Sequence, residues 1–509
     1  MNFLKRKFAK QYKLSCPSNV KLLKAYHKLL KEKRVKKSPD LEKILTKRPI
    51  RTLSGVAVIT VLTKPYKCPG KCIYCPLEKG FPQSYLGGEP AAQRAKNLNF
   101  YPYLQVQKRL ESLKAQGHPI DKIELIVLGG CFNYYPKKYQ EWFVTRCFAA
   151  CNAKLTRKIK SLNEEQKKNE KAKCRIIGLT VETRPDLITK KEVIWLRKLG
   201  VTKVELGAQI LDDKILKFNK RGHGIKNVIL ATKILKDAGL KVTYHLMLNL
   251  PGSNPKKDFE SFKTAFENPD FKPDWLKIYP CVVCKGSKLY QIWKNKKYKP
   301  YSAKTLINLL IKIKSQVLPN FVRVGRLFRD IPAQKIEAGC KISNLREVVQ
   351  GEMKKRGLKC KCIRCREIKN LKFKIANCKL IRRDFAASDG REIFLSFEDK
   401  KNDKIIAFLR LRIPSQKKHF IAALRNAALI RELHTYGQVH PLQKTYRGQT
   451  SVSSPQHRGL GRKLVKEAEK IAKKEFGLSR IAVISGIGVR PYYRKLGYKL
   501  KDTYMVKKI

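Results

Sequence analysis

Between residues 55 and 328, short apolar runs rich in β-branched residues alternate with segments whose apolar positions repeat at helical spacing. The runs predict buried strands, and the segments between them predict amphipathic helices. Alternating strands and helices are typical of parallel βαβ units, so we expect a barrel or an open parallel sheet. Polar residues repeatedly stand at the strand ends, where barrel enzymes build their active sites. The predicted strands are 56–62, 123–130, 175–182, 203–209, 241–248 and 274–280.

The pattern changes after about residue 371. Two long strand-like runs, FLSFEDKKNDKIIAFLRLRI and LIRELHTYGQV, precede a loop, a strongly amphipathic helix and the run IAVISGI. This order predicts a separate α+β domain of about 140 residues, which is an ordinary domain size. We therefore expect a basic N-terminal segment, an α/β domain, a cysteine-containing linker and an α+β domain. Their expected bounds are 1–54, 55–335, 336–370 and 371–509.

The charge of the chain is strongly positive. Against 113 Lys and Arg residues stand 40 Asp and Glu residues, which gives a formal net charge of +73. Such an excess favours a polyanionic partner, although a general lysine bias would give the same number on ordinary solvated surfaces. The segment VKLLKAYHKLLKEKR predicts a helix with one apolar and one basic stripe, and the basic stripe suits either a phosphate backbone or water. Its lysines are Lys21, Lys24, Lys28 and Lys31.

Nothing in the sequence indicates a membrane span or export. No run of eighteen apolar residues is present, and the basic N-terminus MNFLKRKFAKQYK has no apolar core behind it. The fifteen cysteines are an odd number, and they cluster at spacings typical of metal ligands instead of a disulfide framework. We therefore expect a cytoplasmic protein with reduced thiols.

Three cysteines stand within eight residues in YKCPGKCIYCPLEKG, which we name the cysteine loop (66–80). Cys68, Cys72 and Cys75 can hold three corners of a 4Fe–4S cluster and leave one iron without a protein ligand. A structural zinc site would need a fourth Cys or His nearby, and unliganded thiols are the remaining alternative. The spacing ahead of a parallel barrel resembles that of radical S-adenosylmethionine enzymes, in which the open iron binds the cofactor.

Glycines and polar residues at or near the ends of predicted strands are further candidates. Paired glycines let a ligand approach the backbone closely, although a plain turn would also use them. An acidic and a basic residue at the next strand end could contact a ligand or form a buried ion pair. Lone polar residues on apolar strands are often satisfied core groups. These candidates are Gly129 and Gly130, Glu182 and Arg184, and His245 and Lys277.

A glycine loop opens the amphipathic helix of the C-terminal domain in PQHRGLGRKLVKEAEKIAKKEFG. Gln456, Gly459 and Gly461 are spaced as Q-x-x-G-x-G, and small residues let backbone N–H groups and the helix dipole meet a pyrophosphate. The loop resembles the acetyl-CoA loop of Gcn-related N-acetyltransferases (GNAT), because IAVISG and YYRKLGY follow it; a simple helix cap is the alternative. Tyr492 and Tyr493 would lie near the thioester or pack as ordinary aromatic residues.

A second cysteine group stands in KCKCIRCRE, between the two expected domains. Three thiols this close favour a zinc site that joins the two halves of the chain. A second iron–sulfur cluster suits an interdomain segment less well, and unliganded thiols are the other alternative. The close thiols are Cys360, Cys362 and Cys365, and the candidates for a fourth ligand are Cys284, Cys340 and Cys378.

A radical-cofactor barrel joined to an acetyltransferase resembles the catalytic subunit of Elongator, the tRNA uridine acetyltransferase that starts carboxymethyl modification of wobble uridine. The resemblance covers nearly the whole chain, including SYLGGEPAAQRA, VETRPD, NKRGH, FKPDWLKIYP, RELHTYG, QHRGLG and YYRKLGYKL. It implies a partial (β/α) radical S-adenosylmethionine barrel followed by an α+β GNAT domain. A tRNA-binding segment would precede the barrel, and a zinc-binding linker would join the two domains.

The resemblance also implies roles for individual residues. The 4Fe–4S ligands would be Cys68, Cys72 and Cys75. S-adenosylmethionine would be surrounded by Gly129, Gly130, Glu182, Arg184, Gln209 and His245. Acetyl-CoA would be held by Leu433, His434, Gln456, His457, Arg458, Gly459, Leu460 and Gly461. The catalytic residues would be Lys277, His434, Tyr492 and Tyr493, and tRNA would lie near Arg326 and Arg329.

The reaction implied by the resemblance is a radical alkylation. A 5′-deoxyadenosyl radical takes a hydrogen atom from the acetyl methyl group, and the carbon radical adds to carbon 5 of uracil. Loss of an electron and a proton, with thioester hydrolysis, gives 5-carboxymethyluridine. The anticodon base must be flipped and its phosphates held, which fits the positive charge. An electron donor is also implied, and a homodimer and accessory Elongator-like subunits are compatible with the sequence.

Three positions depart from the family pattern. The residues 77–80 (LEKG) follow Pro76 where the family usually has two glycines, Cys131 replaces a more usual Thr, and Ile210 stands where Ser is common. None of these changes removes a cluster ligand, so we expect an active enzyme. The rival functions are a protein lysine N-acetyltransferase with a structural iron–sulfur domain and a tRNA-binding protein with degenerate active sites.

Overall fold

The computed structural model describes residues 2–47, 52, 54–152, 160–368, 378–415, 419–437 and 459–509. They form two seven-stranded sheets with helices packed against them. The first sheet contains β1 (Ala57–Leu62), β2 (Lys122–Leu128), β3 (Arg175–Thr183), β4 (Lys203–Gln209), β5 (Lys241–Leu248), β6 (Trp275–Pro280) and β7 (Arg323–Arg326). The second sheet contains β8 (Cys378–Ala387), β9 (Gly390–Asp399), β10 (Lys404–Ile413), β11 (Ala427–Thr435), β12 (Arg480–Val483), β13 (Lys499–Lys501) and β14 (Tyr504–Lys508).

The helices separate most of these strands along the chain. In chain order they are α1 (Asn2–Gln11), α2 (Asn19–Lys31), α3 (Pro39–Leu45), α4 (Pro90–Lys96), α5 (Pro102–Ala115), α6 (Lys137–Asn152), α7 (Leu162–Asn169), α8 (Lys190–Lys198), α9 (Asp213–Phe218), α10 (Ile225–Asp237), α11 (Pro255–Glu267), α12 (Lys288–Lys294), α13 (Ala303–Lys312), α14 (Leu345–Lys355), α15 (Ile363–Arg366), α16 (Leu460–Lys474) and α17 (Arg490–Arg494).

All neighbouring strands of the first sheet are parallel, and their spatial order is their order in the chain. Parallel neighbours need a crossover, and the helices between successive strands supply it. β1 and β7 do not pair with each other, so the sheet is a half-barrel. The expected partial (β/α) barrel is therefore confirmed.

Side chains alternate between the two faces of the half-barrel. In β6, Leu276 and Ile278 are fully buried in the core, whereas Lys277 and Tyr279 line a cavity on the inner face. This is the period of two expected of a strand. β2 repeats the pattern, with Ile123, Leu125 and Val127 in the core and the residues between them less buried. Successive strands therefore bring isolated polar residues together inside the half-barrel.

The second sheet has the order β13-β14-β12-β11-β10-β9-β8, and β11 and β12 are its parallel pair. Their ladder runs only from Ala427 opposite Arg480 to Ile430 opposite Val483, although β11 continues to Thr435. Among the described residues, the end of β11 therefore has no partner strand on that side. An open backbone edge of this kind can pair with an extended ligand. The α+β domain expected for this part of the chain is confirmed.

Buried ion pairs join the two domains. Arg431 of β11 donates to both carboxylate oxygens of Asp274, which precedes β6, at 3.0 and 2.6 Å. Arg412 of β10 binds Asp237 at the end of α10, at 3.0 and 2.6 Å. Both guanidinium groups also donate to Glu392 of β9. Because a buried charge is costly to leave alone, this network fixes the second sheet against the half-barrel.

Candidate functional site

A cavity of about 250 Å³ lies at the carboxyl ends of the strands of the half-barrel. The cysteine loop, which follows β1, brings Cys68, Cys72 and Cys75 into its wall. Most of the residues expected around S-adenosylmethionine line the same cavity, together with the expected catalytic Lys277 and two arginines expected near tRNA. They are Gly130, Glu182, Arg184, Gln209, His245, Lys277, Arg326 and Arg329.

The three thiols of the cysteine loop lie among cationic and neutral donors. Arg221 donates to the sulfur of Cys72 at 3.3 Å, and the backbone N–H of Gly70 donates to the sulfur of Cys68 at 3.4 Å. A fourth thiol, Cys131, lies 3.9 Å from the sulfur of Cys68. The contact with Cys131 lowers the pKa of Cys68 to about 6, whereas burial raises the pKa of Cys75 to about 12. The arrangement favours thiolate character at Cys68.

Gly129 and Gly130 are both at positive φ, 132° and 89°. A Cβ on Gly129 would come within 1.8 Å of the hydroxyl oxygen of Thr63, so this position excludes a side chain. Gly130 lines the cavity, where the nearest atom to an added Cβ would be 3.8 Å away. A ligand in the cavity can therefore approach the backbone closely at Gly130. Gly129 instead packs against Thr63, which directly follows β1.

Glu205 of β4 is a central residue of the site that the sequence analysis missed. Its carboxylate accepts hydrogen bonds from the ammonium of Lys277 and from His245, the latter at 2.9 Å. Burial alone would raise the pKa of Glu205, but the charge of Lys277 and the contact with His245 hold it well below its usual range. Glu182, nearby, accepts from the hydroxyl of Tyr85 at 2.5 Å. The only signal in the sequence was an acidic residue in an otherwise apolar strand.

Arg221, in the motif NKRGH, was also missed as a site residue. It is almost fully buried, and its three donor nitrogens reach three different elements. Besides Cys72, they bind the carbonyl oxygen of Gly207 at 2.6 Å and the ring of His223 at 2.9 Å. Burial, together with Arg221, lowers the pKa of His223 to about 4, so its ring is a neutral acceptor near pH 7. The guanidinium is thus held in one orientation, toward the cysteine loop.

A second cavity of about 480 Å³ lies between the half-barrel and the second sheet. Four of the residues expected at acetyl-CoA line it: Leu433, His434, Tyr492 and Tyr493. Gly461, at the start of α16, lies against them, because a Cβ there would come within 3.3 Å of the hydroxyl of Tyr492. Leu460 is buried at the same helix start. Gln456, His457 and Arg458 fall outside the described residues, and Gly459 is at φ 80°.

His434 presents a free ring nitrogen in this second cavity. Its Nε2 is buried and has no hydrogen-bond partner among the described residues. The ring lies against Tyr436, with centroids 4.3 Å apart. Burial and the nearby Arg323 lower the pKa of His434 to about 4. At neutral pH the imidazole is therefore uncharged and can accept a proton or a hydrogen bond.

The two cavities meet inside the half-barrel. Their walls have Thr60, Ile126, Glu205, Lys277 and Arg326 in common. The cavity lined by the cysteine loop and the cavity lined by Tyr492 and Tyr493 of α17 therefore adjoin at these five residues. The Glu205–Lys277 ion pair stands where the two spaces adjoin.

The linker thiols also come together. The sulfurs of Cys360, Cys362 and Cys365 all lie within 4.8 Å of one another. None of the three cysteines that we considered as a fourth ligand belongs to this group among the described residues. The neighbours of Cys365 are instead the ammonium of Lys314 at 3.7 Å and the amide nitrogen of Gln350 at 3.8 Å.

The basic residues expected near tRNA differ in their surroundings. The lysines at 21, 24, 28 and 31 are all exposed on α2, whose Leu23 and Tyr26 are buried. Arg326 is exposed and pairs with Asp330 at 2.7 Å. Arg329 is mostly buried, and it donates to Glu89 and to Ser84. Its placement therefore supports a structural role in holding the segment that follows the cysteine loop.

Comparison with known proteins agrees with this architecture. Residues 63–263 match the Radical SAM superfamily, residues 273–355 the Radical SAM C-terminal domain and residues 366–498 the acetyltransferase (GNAT) family. The chain is 51% identical over 477 residues to the tRNA uridine(34) acetyltransferase of Methanocaldococcus jannaschii, which covers 91% of this chain and 86% of that protein. The chain belongs to the Elongator catalytic subunit family.

Other members of the Elongator catalytic subunit family are similar to this chain over nearly its whole length. Elongator complex protein 3 of Bos taurus is 39% identical over 530 residues, covering 100% of this chain and 93% of that protein. The solved structure of Methanocaldococcus infernus Elp3 with an N-terminal deletion (1–46) superposes with a TM-score of 0.78 at 46% identity. It covers 90% of this chain and 100% of that chain.

Family membership implies a 4Fe–4S cluster and S-adenosylmethionine in the half-barrel, and acetyl-CoA in the GNAT domain. The residues present fit these groups. The three thiols of the cysteine loop suit a cluster with one open iron. The Nη1 of Arg184 is buried without a partner among the described residues, which suits an incoming carboxylate. None of the described helices is long and apolar enough to cross a bilayer.

Proposed function

We propose that this chain uses acetyl-CoA and S-adenosylmethionine to form 5-carboxymethyluridine at wobble uridine 34 of tRNA. The observation that carries the proposal is the set of five residues shared by the walls of the two cavities, beside which the two spaces would form one common interior. The cysteine loop lines one cavity, and the GNAT tyrosines line the other. A reaction that joins an acetyl carbon to a base needs both sites open to one space. The names of the relatives, tRNA uridine(34) acetyltransferase among them, agree with this substrate.

In this proposal Cys68, Cys72 and Cys75 hold the 4Fe–4S cluster. Arg184 would bind the carboxylate of S-adenosylmethionine, because its unpaired Nη1 lies against the cysteine loop. Gly130 would accept the close approach of that cofactor's amino group, and the others, Glu182, Gln209 and His245, would complete its pocket. When bound, cluster and cofactor would supply a 5′-deoxyadenosyl radical that abstracts a hydrogen atom.

The GNAT domain would hold acetyl-CoA by its open strand edge and its helix start. Because β11 loses its pairing with β12 after Ile430, the backbone of Leu433 and His434 would be available to the pantetheine amides. The amino end of α16 would receive the pyrophosphate through free N–H groups. Tyr492 and Tyr493 would then contact the acetyl end, and the neutral His434 could take a proton from the water that cleaves the thioester.

Lys277 would bind an acceptor oxygen of the substrate where the two cavities meet. Burial disfavours its charge, but Glu205 raises the pKa of Lys277, so the ammonium persists inside the half-barrel. A fixed positive charge in a space closed to water stabilises negative charge that develops on a carbonyl oxygen. Glu205 would position Lys277 and His245 together.

The tRNA would be held mainly through its phosphates. Lys21, Lys24, Lys28 and Lys31 offer one exposed basic stripe, and Arg326 lies between solvent and the common interior. The flipped base would enter that interior. We also propose zinc at Cys360, Cys362 and Cys365, where it would fix the linker between the domains.

Mass spectrometry of wobble nucleosides tests the proposed function. The full chain, reconstituted without oxygen with iron and sulfide and then reduced with dithionite, is incubated with tRNA, acetyl-CoA and S-adenosylmethionine. We expect 5-carboxymethyluridine from the wild type and from Cys16→Ala, whose cysteine is exposed and far from the loop in sequence, but none from Cys72→Ala. Equal product from Cys72→Ala would refute the proposal. Acetylated lysine peptides formed equally by both proteins would instead indicate a protein acetyltransferase.

A further inference from the structure

Glu205 has one carboxylate oxygen to spare in the wall that the two cavities share. The hydrogen bonds that it accepts from Lys277 and from His245 both end on Oε2. Its other oxygen, Oε1, accepts no hydrogen bond from any residue that the structure describes. The residue is almost fully buried, and it lines both cavities. A buried acceptor is costly to leave empty, so Oε1 is suited to a donor on a bound molecule.

The ion pair presents a donor beside this acceptor. Burial disfavours both charges, but Lys277 and His245 hold the pKa of Glu205 well below its usual range, and Glu205 raises the pKa of Lys277. At neutral pH the carboxylate therefore only accepts hydrogen bonds, and the ammonium only donates them. The contact with Oε2 uses one N–H of Lys277 and leaves the others for a ligand.

A donor beside an acceptor matches one edge of uracil. The Watson–Crick edge of uracil carries the acceptor O4 next to the donor N3–H, so O4 would bind Lys277 and N3–H would bind Oε1 of Glu205. Cytosine has the opposite order, with the N4 amino group as donor and N3 as acceptor. It would set a donor against the ammonium and an acceptor against the carboxylate. Enzymes that act on a flipped base read it by hydrogen bonds to this edge.

We propose that Glu205 and Lys277 together select uracil over cytosine at the wobble position, with Oε1 of Glu205 as the acceptor for N3–H. The inference rests on the proposed function, because it requires the flipped base to enter where the two cavities adjoin. It gives Glu205 a contact with the substrate besides its hold on Lys277. A site that is built to bond a buried N–H rejects an analogue without it strongly, because the protein group is then left unpaired.

The other molecules proposed for this interior match the pair less well. An acetyl group offers a carbonyl oxygen to Lys277, but it has no N–H or O–H group for Glu205. Gly130, Arg184 and Gln209, which we assign to S-adenosylmethionine, line the first cavity alone, whereas Glu205 and Lys277 line both. The base is therefore the molecule that suits both members of the pair at this place.

Competition between anticodon stem-loops tests the inference. The reconstituted full chain receives equal amounts of two stem-loops that differ only at position 34, and mass spectrometry measures the carboxymethyl product on each. We expect the wild type to prefer uridine at least about a hundredfold over cytidine and over 3-methyluridine, which lacks the N3–H. Glu205→Gln should lower the preference over cytidine at least about tenfold, because its amide can donate to N3 of cytosine. A ratio within one mixture is unaffected by a general loss of activity.

Glu432→Gln is the matched control. It makes the same change at another buried carboxylate in the wall of the second cavity, one that pairs with Arg410 and Lys241. This variant should keep the wild-type preference for uridine. Glu205→Ala should also accept 3-methyluridine within about tenfold of uridine, because it leaves room for the methyl group and no acceptor to satisfy.

An unchanged preference over cytidine in Glu205→Gln would overturn the inference and leave the proposed function standing. Equal product on 3-methyluridine and uridine in the wild type would do the same, and so would an equal loss of preference in Glu432→Gln. If the Glu205 variants form no product, the wild-type ratios decide alone. A wild type that forms no carboxymethyl product on the uridine stem-loop would instead refute the proposed function, and the inference with it.

Discussion

Arg431 of the GNAT domain donates to both oxygens of Asp274 of the half-barrel, at 3.0 and 2.6 Å, and both side chains are almost completely buried. Asp274 stands three residues before Lys277, which faces the space common to the two cavities. The pair therefore fixes the position of the GNAT sheet relative to the half-barrel. Separate domains on a flexible linker would not keep that alignment.

Asp274→Asn should destabilise the folded chain by about 3–5 kcal/mol, because it removes one of the two buried carboxylates, Asp274 and Glu392, that balance the guanidinium of Arg431. The measurement is urea unfolding followed by tryptophan fluorescence, since Trp275 is adjacent in sequence. The matched control is Arg382→Gln, which breaks the more exposed Arg382–Glu475 pair and should cost no more than about 1 kcal/mol. Similar losses in the free energy of unfolding for both variants would show that the buried interdomain pair stabilises the fold no more than an exposed pair does.

Lys277→Met should lower 5-carboxymethyluridine formation by about a hundredfold, a typical cost of losing one donor that stabilises developing charge. Its iron content should equal that of the wild type, because Lys277 does not touch the cysteine loop in any described contact. Liquid chromatography with mass detection gives the product, and a colorimetric assay gives the iron. Lys277→Arg, which keeps the charge beside Glu205, should retain part of the activity. Undiminished product from Lys277→Met would remove this residue from the chemistry.

His434 should make the chain less stable as the pH falls. Its pKa is lowered by burial to about 4, against an ordinary value of about 6.5. Between these pH values the unfolded chain binds a proton that the folded chain does not. The contribution of His434 to the free energy of unfolding is therefore fully present above about pH 6.5 and is lost progressively toward pH 4. The melting temperature of the wild type should therefore fall relative to that of His434→Gln between about pH 7 and about pH 5. A constant difference over that range would contradict the assigned burial.

The general fold could be predicted because the signals that determine it are local. Apolar runs of strand length and helical spacings alternate in the sequence itself, and the six predicted strands fall on β1 to β6. Lys277 and His245 were found for the same reason, since a polar residue on an apolar strand is visible within a few positions. β7 was missed as a separate strand because RVGR is too short and too polar to stand out.

The site residues that the sequence did not indicate could not be identified from the residues next to them in the chain. Glu205 resembles any acidic residue of a strand until the sheet register sets it beside Lys277, which is 72 positions away. The place of Arg221 in the site becomes apparent only from its hydrogen bond to Cys72, which is 149 positions away. The family resemblance implies that Arg329 stands near tRNA. Its buried pairing with Glu89, 240 positions away, is not visible in the local sequence. Contacts of this range follow from the fold and leave no periodic trace in the sequence.

Cys131→Ser should bind as much iron as the wild type. The Cys131 thiol is 3.9 Å from the sulfur of Cys68, but it stands outside the cysteine loop, and three ligands suffice for a cluster with one open iron. Iron and sulfide per chain after anaerobic reconstitution would check this, with Cys68→Ser as the variant that should lose the cluster. A parallel loss in both serine variants would make Cys131 a ligand and would contradict the three-cysteine assignment.

Arg221 should raise the reduction potential of the cluster. It is a buried positive charge whose Nη1 donates to the sulfur of Cys72 at 3.3 Å, and hydrogen bonds and positive charge at a ligand sulfur favour the more negative, reduced state. Arg221→Gln should therefore shift the midpoint potential to more negative values, as measured by a redox titration followed by electron paramagnetic resonance. Arg221→Lys keeps the charge but cannot also bind Gly207 and His223 as Arg221 does, so its shift should be smaller.

A second pair of variants separates orientation from charge at Arg221. His223→Gln can still accept the N–H of Arg221 through its amide oxygen, whereas His223→Leu cannot. If the fixed direction of the guanidinium matters, His223→Leu should lower the potential and His223→Gln should not. An Arg221→Gln protein with a full cluster and an unchanged potential would show that Arg221 only packs against the loop. The comparison is independent of tRNA and acetyl-CoA, because the titration needs the cluster alone.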